Sequence, residues 1–218
     1  MTSFFNCPIC QTAATCNHDP QTGTDYWFCP ECEFVQKDKN HWPDEETEKN
    51  RYLLHDQSPN DSGYIQMFED FIRATITPFA SRVQRILDFG CGHQAVLAEI
   101  LKKHGFSVDV VDPFFYPDTD LQTRTFDCVT ATEVVEHLRD PMNAFRSIDT
   151  LLKSGGLLAI QTRFRPKSEK DFMNWWYIRD ITHLSFYSVE TFNRIAGILG
   201  WRLIKHNDSN TAIMEKSS

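Results

Sequence analysis

The chain has 218 residues, of which 41% are hydrophobic and 24% charged, and a formal net charge of −8. That is enough for one α/β domain of ordinary size plus a small appendage, and the acidic balance argues against a bulk electrostatic grip on nucleic acid. No apolar run reaches the length of a membrane span, and no basic segment followed by an apolar stretch opens the chain, so a cytoplasmic location is expected.

Residues 1–42 form the first unit. Four of the seven cysteines fall into two pairs, Cys7-Pro-Ile-Cys10 and Cys29-Pro-Glu-Cys32, with 18 residues between them. In a chain without an export signal this pattern favours metal over disulfides. Two tight knuckles can aim four thiolates at one ion, a tetrahedral sulfur set that suits Zn²⁺. The spacing fits a zinc ribbon; two redox pairs are the competing reading. Cys16 and His18 lie in the intervening loop as weaker ligand candidates, and Tyr26 to Phe28 read as a strand. Lys37 and Lys39 are offset by Glu31, Glu33 and Asp38. A structural or substrate-shaping role is therefore favoured over nucleic-acid contact.

Residues 43–80 read as a connector followed by a packing helix. Asp44, Glu45, Glu46 and Glu48 make the start acidic, with Pro43 and Pro59 as punctuation. A short helix is expected around Glu45 to Leu54, and His55 reads as a surface or packed histidine. Ser62 is placed to cap a second helix from Gly63 to Phe79, whose apolar face runs through Phe68, Phe71, Ile72 and Ile76.

Residues 81–218 carry the organising stretch, Ile86-Leu-Asp-Phe-Gly-Cys-Gly92. An apolar run ends at Asp88, Gly90 and Gly92 follow, and Gln94 to His104 has helical spacing. The reading is strand, glycine turn, helix, a geometry that lets backbone N–H groups approach a ligand. Ser107 to Val111 reads as a second strand. It ends in Asp112, 24 positions beyond Asp88, where a carboxylate can meet ribose hydroxyls. Phe126 to Ala131 reads as a further buried strand. The gap from Asp112 to Phe126 is too short for a full helix and strand, so a crossover helix is expected to be shortened or missing. Past Pro141, helical spacing runs towards Gly155-Gly156, expected to stop that helix. Leu157 to Thr162 reads as a strand, 163–187 as a long functional segment, Val189 to Leu199 as a helix, and Trp201 to His206 and Ala212 to Met214 as closing antiparallel strands.

The series Ile-Leu-Asp-Phe-Gly-Cys-Gly, Val-Val-Asp-Pro, Phe-Asp-Cys-Val and Glu-Val-Val-Glu-His-Leu resembles the class I S-adenosylmethionine-dependent methyltransferases over roughly residues 83–207. The resemblance implies a doubly wound, Rossmann-like α/β methyltransferase sheet bearing the small N-terminal ribbon. It also implies cofactor contacts from Asp88, Phe89, Gly90, Cys91, Gly92, Asp112, Pro113, Thr132 and Glu133. Phe114 would flank the adenine, and Tyr52 and Tyr64 are candidate contacts from the N-terminal segments. Where many members carry a third glycine this chain has Gln94. Ala95 is tolerated at the last place of a dinucleotide fingerprint, so the turn alone does not exclude a nicotinamide oxidoreductase.

Glu133, Glu136 and His137 stand at i, i+3 and i+4, on one face if the segment is helical. With His183 they resemble the Glu-x-x-Glu-His set of ubiquinone-pathway O-methyltransferases and of small-RNA 3′-end 2′-O-methyltransferases. The resemblance implies a divalent ion, Mg²⁺ or Mn²⁺, that activates a hydroxyl. His183 as a metal-free general base is the competing assignment. Phe172, Trp175, Trp176, Tyr177 and Phe186 are expected either as an apolar wall over the site or as packing against the ribbon. Arg163, Arg165, Lys167 and Arg179 offer local positive charge for an acceptor anion, or a solvated face. The expected activity is O- or C-methylation of a small or medium-sized acceptor. An RNA methyltransferase, and a non-catalytic module whose ribbon recognises a protein partner, are the alternatives. The acceptor and the oligomeric state are not readable in the sequence.

Overall fold

A computed structural model describes residues 5–54 and 62–217. His55 and Pro59 lie outside the described residues. The chain begins with β1 (Thr15–Asp19), β2 (Thr24–Phe28) and β3 (Val35–Lys37), then α1 (Glu45–Leu54) and α2 (Ser62–Thr75). Next come β4 (Arg85–Phe89), α3 (Val96–Lys103), β5 (Ser107–Val111), β6 (Phe126–Thr132), α4 (Pro141–Leu151) and β7 (Leu152–Gln161). The long segment contributes a short α5 (Glu169–Met173) and β8 (Ser185–Phe186), and α6 (Val189–Leu199), β9 (Trp201–His206) and β10 (Thr211–Lys216) close the fold.

The main sheet has six strands in the order β5-β4-β6-β7-β10-β9. β4, β5, β6 and β7 are parallel, and β10 runs antiparallel to both of its neighbours. Successive residues on the parallel strands face opposite sides. Ile86, Cys128, Leu157 and Ala159 pack with α2 and α3. Leu87, Val129, Leu158 and Ile160 pack with Phe145 and Ile148 of α4 and Phe192 and Ile195 of α6. Burial on both faces explains why these strands read as continuous apolar runs. The chain leaves β4 towards β5 on one side and returns to β6 on the other, so the glycine turn after β4 opens at the point where strand order reverses, the usual ligand crevice of such sheets.

The connection from β5 to β6 carries only a turn of 3₁₀ helix at Leu121–Thr123, as the short gap predicts. Two expectations fail locally. α2 gives way to a 3₁₀ turn at Thr77–Phe79, with Pro78 unable to continue the helical ladder. α4 ends at Leu151 rather than at Gly155-Gly156, because Leu152 already pairs with Phe126 of β6. The glycines instead shape an irregular strand start: Gly155 has φ +70°, and a Cβ on Gly156 would meet the Lys153 carbonyl at 2.8 Å.

A second, antiparallel sheet has the order β1-β2-β3-β8. Its fourth strand comes from the long segment near the C-terminus, through the pairs Val35 with Phe186 and Gln36 with Ser185. Tyr26, Phe28 and Val35 form one core with Phe172, Tyr177, Ile178 and Phe186. Most of the aromatic segment therefore packs against the ribbon. Trp176 instead is exposed, stacked under Arg163. Arg165 donates to the Glu33 carbonyl, and Arg179 pairs with Asp19 and donates to Gln21. Two of the four cations offered for an acceptor anion, Arg165 and Arg179, are thus committed to ribbon contacts.

Candidate active site and metal centres

A cavity of about 600 Å³ opens beside the glycine turn. Phe89, Gly90, Gly92, Asp112, Pro113, Phe114 and Glu133 line it, and α1 and α2 cover it with Glu48, Tyr52 and Tyr64. Gly90 and Gly92 adopt φ +74° and +65°, a region that favours glycine. Asp112 organises the turn: its carboxylate accepts from the N–H of Gly92 at 3.1 Å, Phe114 at 2.9 Å and Phe115 at 3.2 Å. Asp88, Cys91 and Thr132 lie outside the cavity wall. Asp88 is buried behind the turn and accepts from Thr130 Oγ1 at 2.8 Å. Burial pushes its carboxyl up to about 7, against the pull of that hydrogen bond.

Glu133, His137 and His183 make one part of the cavity wall polar, and Glu136 is fully buried outside that wall. Glu133, Glu136 and His137 do not share a helix face: Glu133 has φ +52°, and only one 3₁₀ turn follows, at Val135–His137. Glu133 leaves β6 with its N–H bonded to the Gln161 carbonyl at 2.8 Å, which aims the chain away from a helix. Convergence comes from tertiary structure instead. Donor atoms of Glu136, His137 and His183 all lie within 4.8 Å of one another. His137 Nδ1 lies 2.9 Å from the Thr182 carbonyl and His183 Nδ1 lies 2.8 Å from the Tyr177 carbonyl. A carbonyl can only accept, so both rings carry their proton on Nδ1 and present Nε2 as a lone pair. Burial lowers both imidazoles, His183 to about 3 with His137 adding to the effect. Both are therefore neutral at pH 7.

Tyr177, which the sequence offered only as an apolar wall or as packing against the ribbon, is the missing link. Its hydroxyl lies 2.6 Å from Glu136 Oε1 and 3.3 Å from Glu133 Oε2. Its ring lies 4.0 Å from that of His183. Burial and then the charge of Glu136 push Glu133 up to about 8, and burial raises Glu136 as well. Glu136 Oε2 is buried and has no hydrogen-bond partner among the described residues. A buried carboxylate oxygen without a partner, beside two imidazole lone pairs, fits a cation. Glu133 stands outside that three-residue group and joins it through Tyr177.

At the other centre, the sulfur atoms of Cys7, Cys10, Cys29 and Cys32 also lie within 4.8 Å of one another. Cys7 and Cys32 are 3.5 Å apart and Cys10 and Cys29 3.3 Å apart. All seven cysteines are free thiols, and four thiol groups at such spacing suit a tetrahedral ion. Cys16 is exposed on β1 and His18 pairs with Asp25 at 2.7 Å, so neither belongs to this cluster.

The family model of a methyltransferase domain matches residues 47–206. The chain belongs to this methyltransferase family. A ubiquinone biosynthesis O-methyltransferase of Cereibacter sphaeroides is 31% identical over 141 residues, covering 53% of this chain and 57% of that protein. One of Histophilus somni is 27% identical over 107 residues, 36% of this chain and 44% of that protein. The methyltransferase described here thus spans about half the length of the curated relatives it matches. Among solved structures, an O-methyltransferase family protein from Burkholderia thailandensis aligns with a TM-score of 0.58 at 12% identity. The alignment covers 78% of this chain and 63% of that one. An S-adenosylmethionine-dependent methyltransferase from Archaeoglobus fulgidus aligns at 0.53 with 21% identity, covering 76% of this chain and 99% of that one. These likenesses are of fold, and the fold is the class I methyltransferase sheet. Among the described residues no helix is long and apolar enough to cross a membrane.

Proposed function

We propose that this methyltransferase transfers a methyl group from S-adenosylmethionine to a hydroxyl oxygen of a small acceptor, aided by a divalent ion, Mg²⁺ or Mn²⁺, held by Glu136, His137 and His183. The observation that carries the proposal is the buried Glu136 Oε2, without a hydrogen-bond partner among the described residues, beside two imidazoles that present Nε2 lone pairs and line the cavity next to the glycine turn. Carboxylate and imidazole together suit such an ion.

S-adenosylmethionine brings its own activated methyl group, and a divalent ion lowers the pKa of a hydroxyl it binds. The chain's residues must bind, orient and exclude water. Gly90 and Gly92 provide the close backbone approach for the methionine part. Asp112, held at the rim by three amide N–H groups, would meet the ribose hydroxyls, and Pro113 and Phe114 would flank the adenine. Tyr52 stands between Phe114 and His137, its ring 5.8 Å and 5.1 Å from theirs, where it can separate the cofactor from water. Tyr177 holds the Glu136 carboxyl in place. A histidine held near 3 accepts a proton poorly at neutral pH, which favours His183 as an ion ligand over a free general base.

Zinc at the four cysteines belongs to the same proposal, as does the division into a metal-held ribbon (1–42), a connector with its packing helix (43–80) and a cofactor-binding domain (81–218). The match to O-methyltransferases supports oxygen over carbon as the methylated atom. The testing experiment is calorimetric titration of the zinc-loaded protein with S-adenosylhomocysteine, with NADH as control. Binding of the first alone, lost in Asp112→Ala, is expected. Binding of NADH instead would overturn the reading.

A further inference from the structure

The ribbon's third strand does more than cap the fold. β3 begins just past the second knuckle, where the Cys29 N–H bonds the Phe34 carbonyl at 2.9 Å and Thr191 Oγ1 donates to the Cys32 carbonyl at 2.7 Å. From there it runs alongside the segment that carries His183. The Lys37 N–H donates to the Leu184 carbonyl at 2.8 Å. The Lys37 side chain is only 4% exposed, and its Nζ donates to the carbonyls of Ile181 at 3.0 Å and Asp180 at 3.3 Å. An ammonium is costly to bury, and burial pulls this one down to about 8. The carbonyls it grips immediately precede Thr182, whose own carbonyl fixes the His137 ring.

Gln36 works on the other side of the same site. Its Nε2 donates to the Arg139 carbonyl at 3.1 Å and to Ser185 Oγ at 3.4 Å, and Ser185 Oγ donates to the Leu138 carbonyl at 2.7 Å. Leu184 N–H closes the circuit on the Glu136 carbonyl at 2.7 Å. The turn bearing Glu136 and His137 and the segment bearing His183 are thus joined to each other and to β3. The glycine turn and Asp112, by contrast, contact the ribbon through none of these bonds.

We infer that Gln36 and Lys37 are positioning residues: the cysteine-held ribbon, through β3, sets the ring orientation of His137 and His183, while the cofactor site forms independently of it. The inference rests on the proposed role of the Glu136, His137 and His183 group, so its test needs a readout that does not depend on bound ion. The ribbon would then be a part of the acceptor site rather than a separate recognition module. Positioning shells of this kind commonly alter ion affinity by about 10–100-fold when broken.

The experiment uses the full zinc-loaded chain labelled with ¹⁵N. Long-range ¹H–¹⁵N spectra of the histidine side chains report which ring nitrogen carries the proton. Wild type should show His137 and His183 neutral and protonated on Nδ1. In Lys37→Met and Gln36→Leu, zinc content and S-adenosylhomocysteine affinity should be unchanged. The His183 or His137 signal should move to a mixed tautomer, and Mn²⁺ affinity should fall about tenfold or more. Lys37→Arg, which restores a donor, should recover part of the signal. Wild-type tautomers in the Gln36→Leu/Lys37→Met double variant would overturn the inference. Loss of cofactor affinity along with the tautomer would also overturn it, since the ribbon would then be a general stabiliser. If wild type bound no Mn²⁺, the ion proposal would fail, while the tautomer signal would still decide the positioning role.

Discussion

Val134 occupies the space that a side chain on Gly90 would need: a Cβ built there would lie 2.6 Å from Val134 Cγ2. The strand end that carries the glycine turn and the strand end that leads to Glu136 and His137 are therefore packed in direct contact. Gly90→Ala adds that clash to the strain of a residue at φ +74°, a cost of about 1 kcal/mol or more before any repacking. S-adenosylhomocysteine affinity should fall about tenfold or more. Adding Val134→Ala should restore part of it by removing the clash and leaving the strain. Unchanged binding in Gly90→Ala, by calorimetry, would remove the glycine turn from the cofactor site.

The glycine-turn half of the candidate site is legible in the sequence because it is local. Gly90, Gly92 and Asp112 fall within two strand ends, and strand order alone places them together. The Glu136, His137 and His183 half is legible in composition and not in geometry. Glu136, His137 and His183 were identifiable by residue type, but the expected helix face does not exist, and their approach depends on β3, β8 and Tyr177. Tyr177 gave no signal because a buried aromatic in a loop looks the same whether or not its hydroxyl bridges two carboxyl groups. The helix stop at Gly155 was misread because a glycine at φ +70° serves a strand irregularity as well as a helix end.

Asp88 makes stability depend on pH. Its carboxyl sits at about 7 in the folded chain against 3.8 as the ordinary value. A raised acid stabilises fully below the unfolded value, and that stabilisation is lost as pH rises through the folded one. Between pH 6 and 8 ionisation of this group should cost the cofactor-free protein on the order of 1 kcal/mol. Asp88→Asn still accepts from Thr130 and cannot ionise, so its urea midpoint should vary less over that range. An equal loss in both proteins would assign the pH dependence to other groups.

The four cysteines should hold zinc, and Cys32→Ser should abolish it while disturbing β3 directly. Metal analysis gives the content, and calorimetry gives the cost. A loss of about 3 kcal/mol would lower the unfolding midpoint by roughly 6–12 °C in a chain of this size. A zinc-free wild-type protein with the same midpoint as the zinc-loaded one would mean that the aromatic core of Tyr26, Phe28, Phe172 and Phe186 holds the ribbon without metal.

Glu136→Gln separates the ion proposal from the fold. Glutamine keeps the size of the side chain and an oxygen for the Tyr177 hydroxyl, and removes the charge. Mn²⁺ affinity should fall by about 100-fold, with S-adenosylhomocysteine binding unaffected. The pH dependence gives the sign. Burial raises both Glu133 and Glu136 in the folded chain, so an incoming ion competes with protons on this carboxyl pair, and Mn²⁺ should bind more tightly as pH rises. The two histidines add little to that trend near neutrality, because both are already neutral. Calorimetry in two buffers of different ionisation enthalpy should detect proton release on Mn²⁺ binding to wild type, and less of it in Glu136→Gln. Equal Mn²⁺ affinity in the two proteins would leave Glu136 bonded to Tyr177 as a structural group and would return His183 to the role of proton acceptor.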